Sequence, residues 1–243
     1  MNKRSGFYLY CFSPLVMMTT FLIEFGSALY ILYRYRMDTN ARLITTMLGC
    51  LAIFQFAEYM ICQSAFFLSS LDWAKIGYMA ITILPPLGIH LGLTIAKQKN
   101  TQILAAAYGS AGLFMSYFLF IGQGIQASKC LGNYVIFDIA SNAVLPYGVF
   151  YYGWLFTGMY LFWNYKDQIV STERKQALTW LTYGYLSFLV PSTVVTLLDP
   201  STMRAVPSVM CGFAVLMALC LLFKVAPLVL KDSNSQPRPV PTR

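Results

Sequence analysis

"SPLVMMTTFLIEFGSALYILY", residues 13–33, is an apolar stretch that ends at the charged segment "RYRMDTNAR", residues 34–42. An α-helix rises about 1.5 Å per residue, so about 20 apolar residues cross the ~30 Å hydrocarbon core of a bilayer. The stretch is longer than the apolar region of a signal peptide, and no small-residue cleavage site follows it. We therefore interpret it as a retained membrane-spanning helix.

The rest of the chain has the same apolar character. Of its 243 residues, 58% are hydrophobic and only 11% are charged, which excludes an ordinary soluble domain. A membrane β-barrel is also excluded, because it would show segments of about 10 residues with strict alternation. Six further apolar stretches cover residues 43–68, 74–96, 102–122, 144–164, 176–198 and 207–230. The sequence therefore predicts an all-α membrane protein, a seven-transmembrane helical bundle.

A single membrane domain accounts for most of the chain. We expect residues 1–230 to form the seven-helix domain, since the longest connection, residues 123–143, is too short for a separate domain. The segment "KDSNSQPRPVPTR", residues 231–243, is polar and rich in proline, so we expect it to be a disordered cytoplasmic tail. No internal repeat is evident, which counts against the inverted-repeat transporters.

The distribution of lysine and arginine predicts the orientation, because these residues are enriched in cytoplasmic loops. With the N-terminus outside and the C-terminus in the cytoplasm, twelve of the 17 basic residues fall on or near the cytoplasmic side. These twelve are Arg34, Arg36, Arg42, Lys97, Lys99, Lys166, Arg174, Lys175, Lys224, Lys231, Arg238 and Arg243. The outer side would carry Lys3, Arg4, Lys75, Lys129 and Arg204. We therefore expect an N-out, C-in protein of a bacterial inner membrane.

The basic residues near the cytoplasmic side account for the net charge of +8 and would face anionic lipid. We therefore expect the lipid bilayer as a partner, and no nucleic acid. The six cysteines lack the spacing of a metal site, and we predict neither a metal nor another cofactor. Cys50, Cys211 and Cys220 fall within spans, where a small apolar role is usual. Cys11, Cys62 and Cys130 would lie at the outer face, where a disulfide can form, and Cys62–Cys130 is the first pair to test.

"LAIFQFAEYMIC", residues 51–62, places Glu58 inside the second predicted span, and Glu24 lies inside the first. Counting inward from the outer end of each span at about 1.5 Å per residue puts both at a depth of roughly 15 Å. A charge in hydrocarbon is costly, so both side chains should face the bundle interior. Two neighbouring carboxylates do not both ionise readily in a low dielectric, so we expect at least one to be protonated. The alternative is that each acid only hydrogen-bonds a neighbouring helix.

Each acid belongs to a polar face, and broken helices lie in the same half of the bundle. The two faces are formed by Thr20, Glu24 and Ser27 and by Gln55, Glu58 and Cys62, at helical spacing. Pro85 and Pro86 lie in the middle of the third span, where a missing N–H leaves carbonyl groups free for a neighbour, water or a ligand. Together they predict a small-molecule pocket that opens to the outside.

Aromatic residues and one histidine complete the candidate ligand-binding set. Tyr147, Tyr151 and Trp154 share one face of the fifth span and could line a site for a planar or apolar ligand, or simply pack against other helices. His90 is the only histidine and follows the double proline, so it serves as an interior hydrogen-bonding residue or as a proton relay. The predicted ligand-binding residues are Glu24, Glu58, Gln55, Pro85, Tyr147, Tyr151, Trp154 and His90.

Three segments together resemble the N-terminal seven-helix sensor region of bacterial histidine kinases and diguanylate cyclases. They are "DWAKIGYMAITILPPLGIHLGLTIA", "YKDQIVSTERKQALTWLTYGYLSFLVPSTVV" and "LLDPSTMRAVPS", with Trp73, Pro85, Arg174, Pro191 and Asp199 as landmarks. The resemblance implies an extracytoplasmic small-molecule or membrane-state sensor. It departs from that family after Lys231, where only about a dozen residues follow in place of an output domain, so a separate signalling partner or a homo-oligomer is implied.

Several function classes remain open beside this sensor. Paired carboxylates also suit a proton-coupled carrier or an intramembrane enzyme using Glu24 and Glu58, although no nucleophile motif accompanies them, so an enzyme is the less favoured class. A retinal protein is disfavoured because Lys224 lies near the inner interface, where lysine snorkels. A purely structural membrane subunit is the remaining class.

Overall fold

The structure is a computed structural model, and it describes residues 14–63, 68–120, 124–130, 135–198 and 206–231, with the side chains of residues 14, 126–130 and 135–138 excepted. The predictions for Cys11, for Asp199 and for the tail after residue 231 lie outside the described residues, as does that for the side chain of Cys130. The helices are α1 Pro14–Arg34, α2 Thr39–Gln63, α3 Ser70–Thr82, α4 Leu84–Ala96, α5 Thr101–Phe120, α6 Ser141–Lys166, α7 Thr172–Leu198, α8 Val206–Cys220 and α9 Ala226–Val229.

Each predicted apolar stretch coincides with one helix or with a run of consecutive helices. The third stretch is divided into α3 and α4 at Ile83, two residues before the double proline Pro85–Pro86. Proline is favoured in the first turn of a helix, where no N–H is required, and it is disfavoured further along. The double proline therefore starts a new helix inside the stretch. The last stretch contains a π-helical segment, Leu221–Val225, between α8 and α9.

Six helical stretches are long and apolar enough to cross a membrane: residues 15–34, 39–63, 70–96, 101–120, 172–198 and 206–229. This confirms the prediction of a helical protein suited to a bilayer. Helix α6 is 26 residues long and thus long enough to span, but it is rich in tyrosine, glycine and tryptophan. Those residues lower its mean hydropathy, and they also suit helices that pack inside a bundle or meet the interface.

The helices form a closed ring around α4. Around this ring, α1 packs against α2, followed by α3, α5, α6, α7 and α8, and α8 returns to α1. Helix α4 contacts α2, α5, α6 and α7, which places it inside the ring. Two glycines of α4 permit this close packing. A Cβ atom at Gly88 would overlap the Tyr185 hydroxyl group of α7, and one at Gly92 would overlap the Phe162 ring of α6.

A β-hairpin lies between α5 and α6, where the sequence indicated only a connection. Strand β1, Ile125–Cys130, pairs antiparallel with β2, Val135–Ile139, with Cys130 opposite Val135 and an irregularity between Ile125 and Ala127. Strand β1 contacts α2 and α3, so the hairpin covers their adjoining ends. Cys62 lies at this end of α2 and is disulfide-bonded, whereas Cys50, Cys211 and Cys220 are free thiols. Cys130 as its partner stays a prediction.

The opposite end of the bundle holds the turns between α1 and α2, between α4 and α5, and between α6 and α7. The amide of Arg36 donates to the carbonyl oxygen of Lys231 at 3.0 Å, which joins the turn after α1 to the segment after α9. The Arg174 guanidinium donates to the carbonyl oxygen of Ile95 at 3.3 Å, which joins α7 to the end of α4. Lys97 ends α4 in a left-handed conformation, with φ 57°.

Candidate functional site

Glu24 and Glu58 both face the interior of the bundle. Each is 0% exposed, although they come from separate helices, α1 and α2, that pack against each other. Thr20, Ser27 and Gln55 are buried on the same faces, which confirms the predicted inward direction, whereas Cys62 is only partly buried. The α2 helix ends at Gln63. Glu58 is therefore about 8 Å from the helix end and closer to it than the sequence indicated.

The two carboxyl groups are neighbours without a hydrogen bond. They are close enough to interact electrostatically. Across the described residues, none of the four carboxyl oxygens has a hydrogen-bond partner of normal geometry. The hydroxyl group of Ser208 on α8 is the polar group that approaches Glu58. A buried polar group without a partner costs about 1–3 kcal/mol, so this pair is an unfavourable element in the core.

Helix α8 closes the site on its third side. The Gln55 side chain donates through Nε2 to the carbonyl oxygen of Cys211 at 2.8 Å, which fixes α2 against α8. The Cys211 thiol, which is 4% exposed, interacts electrostatically with both Glu24 and Glu58. The sequence pattern did not indicate Ser208 as a site residue, and Cys211 was expected to be a small apolar residue. The two residues are three positions apart in the otherwise apolar first part of α8. This spacing places both on one helix face and could have indicated them from sequence.

Buried tyrosines continue the polar region beyond Cys211. Tyr78 and Tyr147 interact electrostatically with Cys211, and their ring centroids are 5.7 Å apart. The Tyr147 hydroxyl group is 3.0 Å from the hydroxyl group of Thr82. Tyr151 is half-buried and interacts with Cys211, Tyr147 and Tyr185. Tyr147 and Tyr151 therefore belong to one cluster with Cys211, together with Tyr78, Thr82 and Tyr185, which the sequence pattern did not indicate.

The helix break lies deeper in the bundle than the carboxyl pair. A Cβ atom at Gly77 would contact Phe54 and Ala57, so that residue of α3 is level with the segment before Glu58. Ile83 is six residues further along, or about 9 Å at the rise of an α-helix. Pro85 is buried beyond it in the first turn of α4. The break is thus level with the tyrosines around Tyr151 and not with the carboxyl groups.

His90 and Trp154 are not brought to the carboxyl pair. The Nδ1 atom of His90 is 3.1 Å from the hydroxyl oxygen of Tyr108, and Nε1 of Trp154 donates to Oγ of Ser110 at 2.9 Å. Both partners belong to α5. Trp154 shares a helix face with Tyr147 but lies two turns, or about 10 Å, further along the axis, where that face meets another part of α5. These two side chains join helices at the α5 side of the bundle.

Within the described ranges, no three or more His, Cys, Asp and Glu residues are arranged to hold a metal ion. No protein-family model matches the chain, and no curated protein or solved structure shows a significant similarity to it. The resemblance to bacterial sensor regions stays a prediction. The strongest functional evidence is therefore the geometry itself, in which α1, α2 and α8 hold two unpartnered carboxyl groups beside a cluster of tyrosines.

Proposed function

We propose that the protein is a seven-transmembrane, receptor-like sensor that binds a small molecule in its polar interior and signals through a separate partner. In this arrangement α6 is the seventh span, α3 and α4 together form one span, and α8, the π-helical segment and α9 form the last. The N-terminus lies outside and the C-terminus in the cytoplasm.

Two independent features support the orientation. The basic residues of the chain favour the cytoplasm for the turns after α1, α4 and α6. Cys62 lies at the opposite end of α2 and is disulfide-bonded, and disulfides persist in oxidising compartments outside the cytoplasm. Reporter fusions after residues 36 and 231 should be active in the cytoplasm, and one after residue 130, at the end of β1, should be active outside. A cytoplasmic hairpin would overturn the proposed orientation.

The observation that carries the proposal is the unpartnered Glu24–Glu58 pair. A protein selected only for stability would replace such a pair, because buried polar groups without hydrogen bonds are costly and apolar residues of similar volume are not. Ionisable residues inside the membrane are instead common at functional sites. Retention of two adjacent carboxyl groups with no partner is what a binding site requires before its ligand arrives.

The packing supports a route from this site to the proposed cytoplasmic side. Glu24 lies on α1, and the turn after α1 is hydrogen-bonded to the segment after α9 through Arg36 and Lys231. The break at Ile83 divides the central span into an outer part, α3, and an inner part, α4, which contacts four of the other helices. A ligand that favours a different arrangement of α1 and α3 would shift these inner contacts by its differential affinity for the two states.

The test is ligand-dependent stabilisation of the purified full chain in detergent. A small-molecule library is screened for compounds that raise the midpoint of thermal unfolding, and each hit is repeated on Glu58→Gln, which retains shape but removes the charge. The matched control is Glu173→Gln, an exposed glutamate at the start of α7. We expect hits whose effect is lost in Glu58→Gln and kept in Glu173→Gln. Hits unaffected by Glu58→Gln would refute the site.

A proton-coupled carrier is the second candidate. The polar groups that run from Glu58 through Cys211 and Tyr147 to Tyr185 favour it, because they extend the polar interior inward from the carboxyl pair. Proteoliposomes distinguish the two functions. A receptor binds a hit compound without accumulating it, whereas a carrier takes it up at a rate that depends on the imposed proton gradient.

A further inference from the structure

The Glu24–Glu58 pair has no positive counter-charge in the described chain. The groups that influence Glu24 are burial and Glu58, and those that influence Glu58 are burial and Ser208. Arg34 and Arg42 lie on the same two helices but at least ten residues away, or about 15 Å. Lys75, at the outer end of α3, is partly exposed. Two buried carboxyl groups with no cation beside them are unfavourable in the charged form, because nothing compensates the loss of hydration.

The two groups also do not satisfy each other. A carboxyl pair that shares one proton is joined by a short hydrogen bond of about 2.5–2.7 Å. No such bond links Glu24 to Glu58, and among the described residues none of the four oxygens has a hydrogen-bond partner of normal geometry, although the Ser208 hydroxyl group approaches Glu58. Both side chains are fully buried, so bulk water does not satisfy them either. Among the described residues, the interior therefore presents four carboxyl oxygens with only the Ser208 hydroxyl group as a nearby donor.

We infer that this pair binds the protonated amino group of a small primary amine, an inference that rests on the proposed ligand-binding function. An –NH3⁺ group has three N–H donors and one positive charge, which match the unpartnered carboxyl oxygens in both hydrogen bonding and charge. A metal ion is a poorer match. Hard cations take about six or more oxygen ligands, and the site has two carboxyl groups and the Ser208 hydroxyl group.

The tyrosine cluster supplies the place for the rest of such a ligand. Tyr78 and Tyr147, whose ring centroids are 5.7 Å apart, belong to the same buried cluster as Cys211, which interacts electrostatically with both carboxyl groups. Aromatic faces attract cations at close range and pack well against apolar or planar groups. The arrangement of a carboxylate end and an aromatic wall favours an amine that carries an aryl or alkyl body over ammonium itself.

The experiment uses phenethylammonium as the probe and two compounds of the same body as controls. Phenethyl alcohol has no charge, and N,N,N-trimethylphenethylammonium has the charge without N–H donors. At ten times the dissociation constant, we expect phenethylammonium to raise the unfolding midpoint of the purified full chain by about 3–5 °C. We expect no comparable shift from either control compound or from equal concentrations of sodium or potassium chloride.

Variants assign the effect to the pair. Glu24→Gln and Glu58→Gln should each abolish the shift, and Glu173→Gln should retain it. If the glutamine variants do not fold, the comparison of the three phenethyl compounds on the unaltered chain still tests whether binding requires both the charge and the N–H donors. The inference is overturned if phenethylammonium gives no shift up to about 10 mM, which is ten times a millimolar dissociation constant. It is equally overturned if the trimethyl compound, the alcohol or a metal cation acts as well as the primary amine.

The outcomes separate this inference from the proposed function. Library hits that lack an amino group but depend on Glu58 would refute amine binding by the pair and would still support the receptor function. Accumulation of phenethylammonium in proteoliposomes would refute the receptor function in favour of a carrier and would still support amine binding by the pair.

Discussion

Gly92 is the position where one added methyl group should disturb the bundle most clearly. A Cβ atom there would overlap two carbon atoms of the Phe162 ring and lie 3.0 Å from a third, and the ring is 1% exposed. Overpacking of this kind costs about 1–3 kcal/mol. Alanine recovers up to about 1 kcal/mol through its better helix propensity. The net expectation for Gly92→Ala is a loss of about 1–2 kcal/mol.

The matched control is Gly109→Ala on α5. A Cβ atom at Gly109 meets nothing within 4 Å, so the variant keeps the gain in helix propensity and has no overlap. It should be unchanged or more stable by up to about 1 kcal/mol. The two variants should thus differ by about 1–3 kcal/mol, which corresponds to about 2–12 °C in the unfolding midpoint for a chain of this size.

The assay is thermal unfolding in detergent with a dye that fluoresces on reaction with thiols. Cys211 is 4% exposed, so its thiol reacts only as the helices separate. A smaller ring in the double variant Gly92→Ala with Phe162→Leu should recover part of the loss, because the overlap is removed. Equal midpoints for Gly92→Ala and Gly109→Ala would refute the close approach of α4 and α6.

Three further predictions follow from other parts of the bundle. Lys97→Gly should raise the free energy of unfolding by about 0.5–1 kcal/mol, because Lys97 has a left-handed conformation that costs a non-glycine residue about 1–2 kcal/mol; a lower midpoint would contradict it. Non-reducing peptide mapping should find Cys62 linked to Cys130, and alkylation of Cys62 without reductant would exclude any disulfide there. Glu24→Met should increase stability by about 1–3 kcal/mol while it abolishes ligand binding, since it removes an unpartnered buried carboxyl group; a large loss of stability would instead indicate that the pair is structural.

The helical part of the fold could be predicted because the bilayer leaves few alternatives for an apolar chain. The break in the third span also followed from sequence, since Pro85 and Pro86 cannot continue a helix and Thr82 is where α3 ends. The hairpin could not be predicted. The segment of β1, "IQASKC", has neither strict alternation nor enrichment in β-branched residues, and the strand pairs only because the bundle positions it against α2 and α3.

The candidate site was partly predictable for a similar reason. Spacing along one helix placed Glu24 and Glu58 on inward faces, because only one face of each helix is polar. It could not identify Ser208 and Cys211, whose significance depends on which helix closes the ring beside α1 and α2. Because spacing does not reveal the neighbouring helix, it also placed His90 and Trp154 incorrectly in the candidate site. Their spacing was correct for an interior face, but the neighbour of that face is α5, whose Tyr108 and Ser110 satisfy them.

The bond between Arg36 and Lys231 involves only main-chain atoms, an amide N–H and a carbonyl oxygen. Alanine scanning would therefore overlook it, because Arg36→Ala and Lys231→Ala both leave donor and acceptor in place. Only proline at position 36 removes the N–H group. Drift in the identity of either side chain during evolution would likewise leave the bond intact. A link of this kind can persist between two distant segments while neither residue carries any recognisable signature.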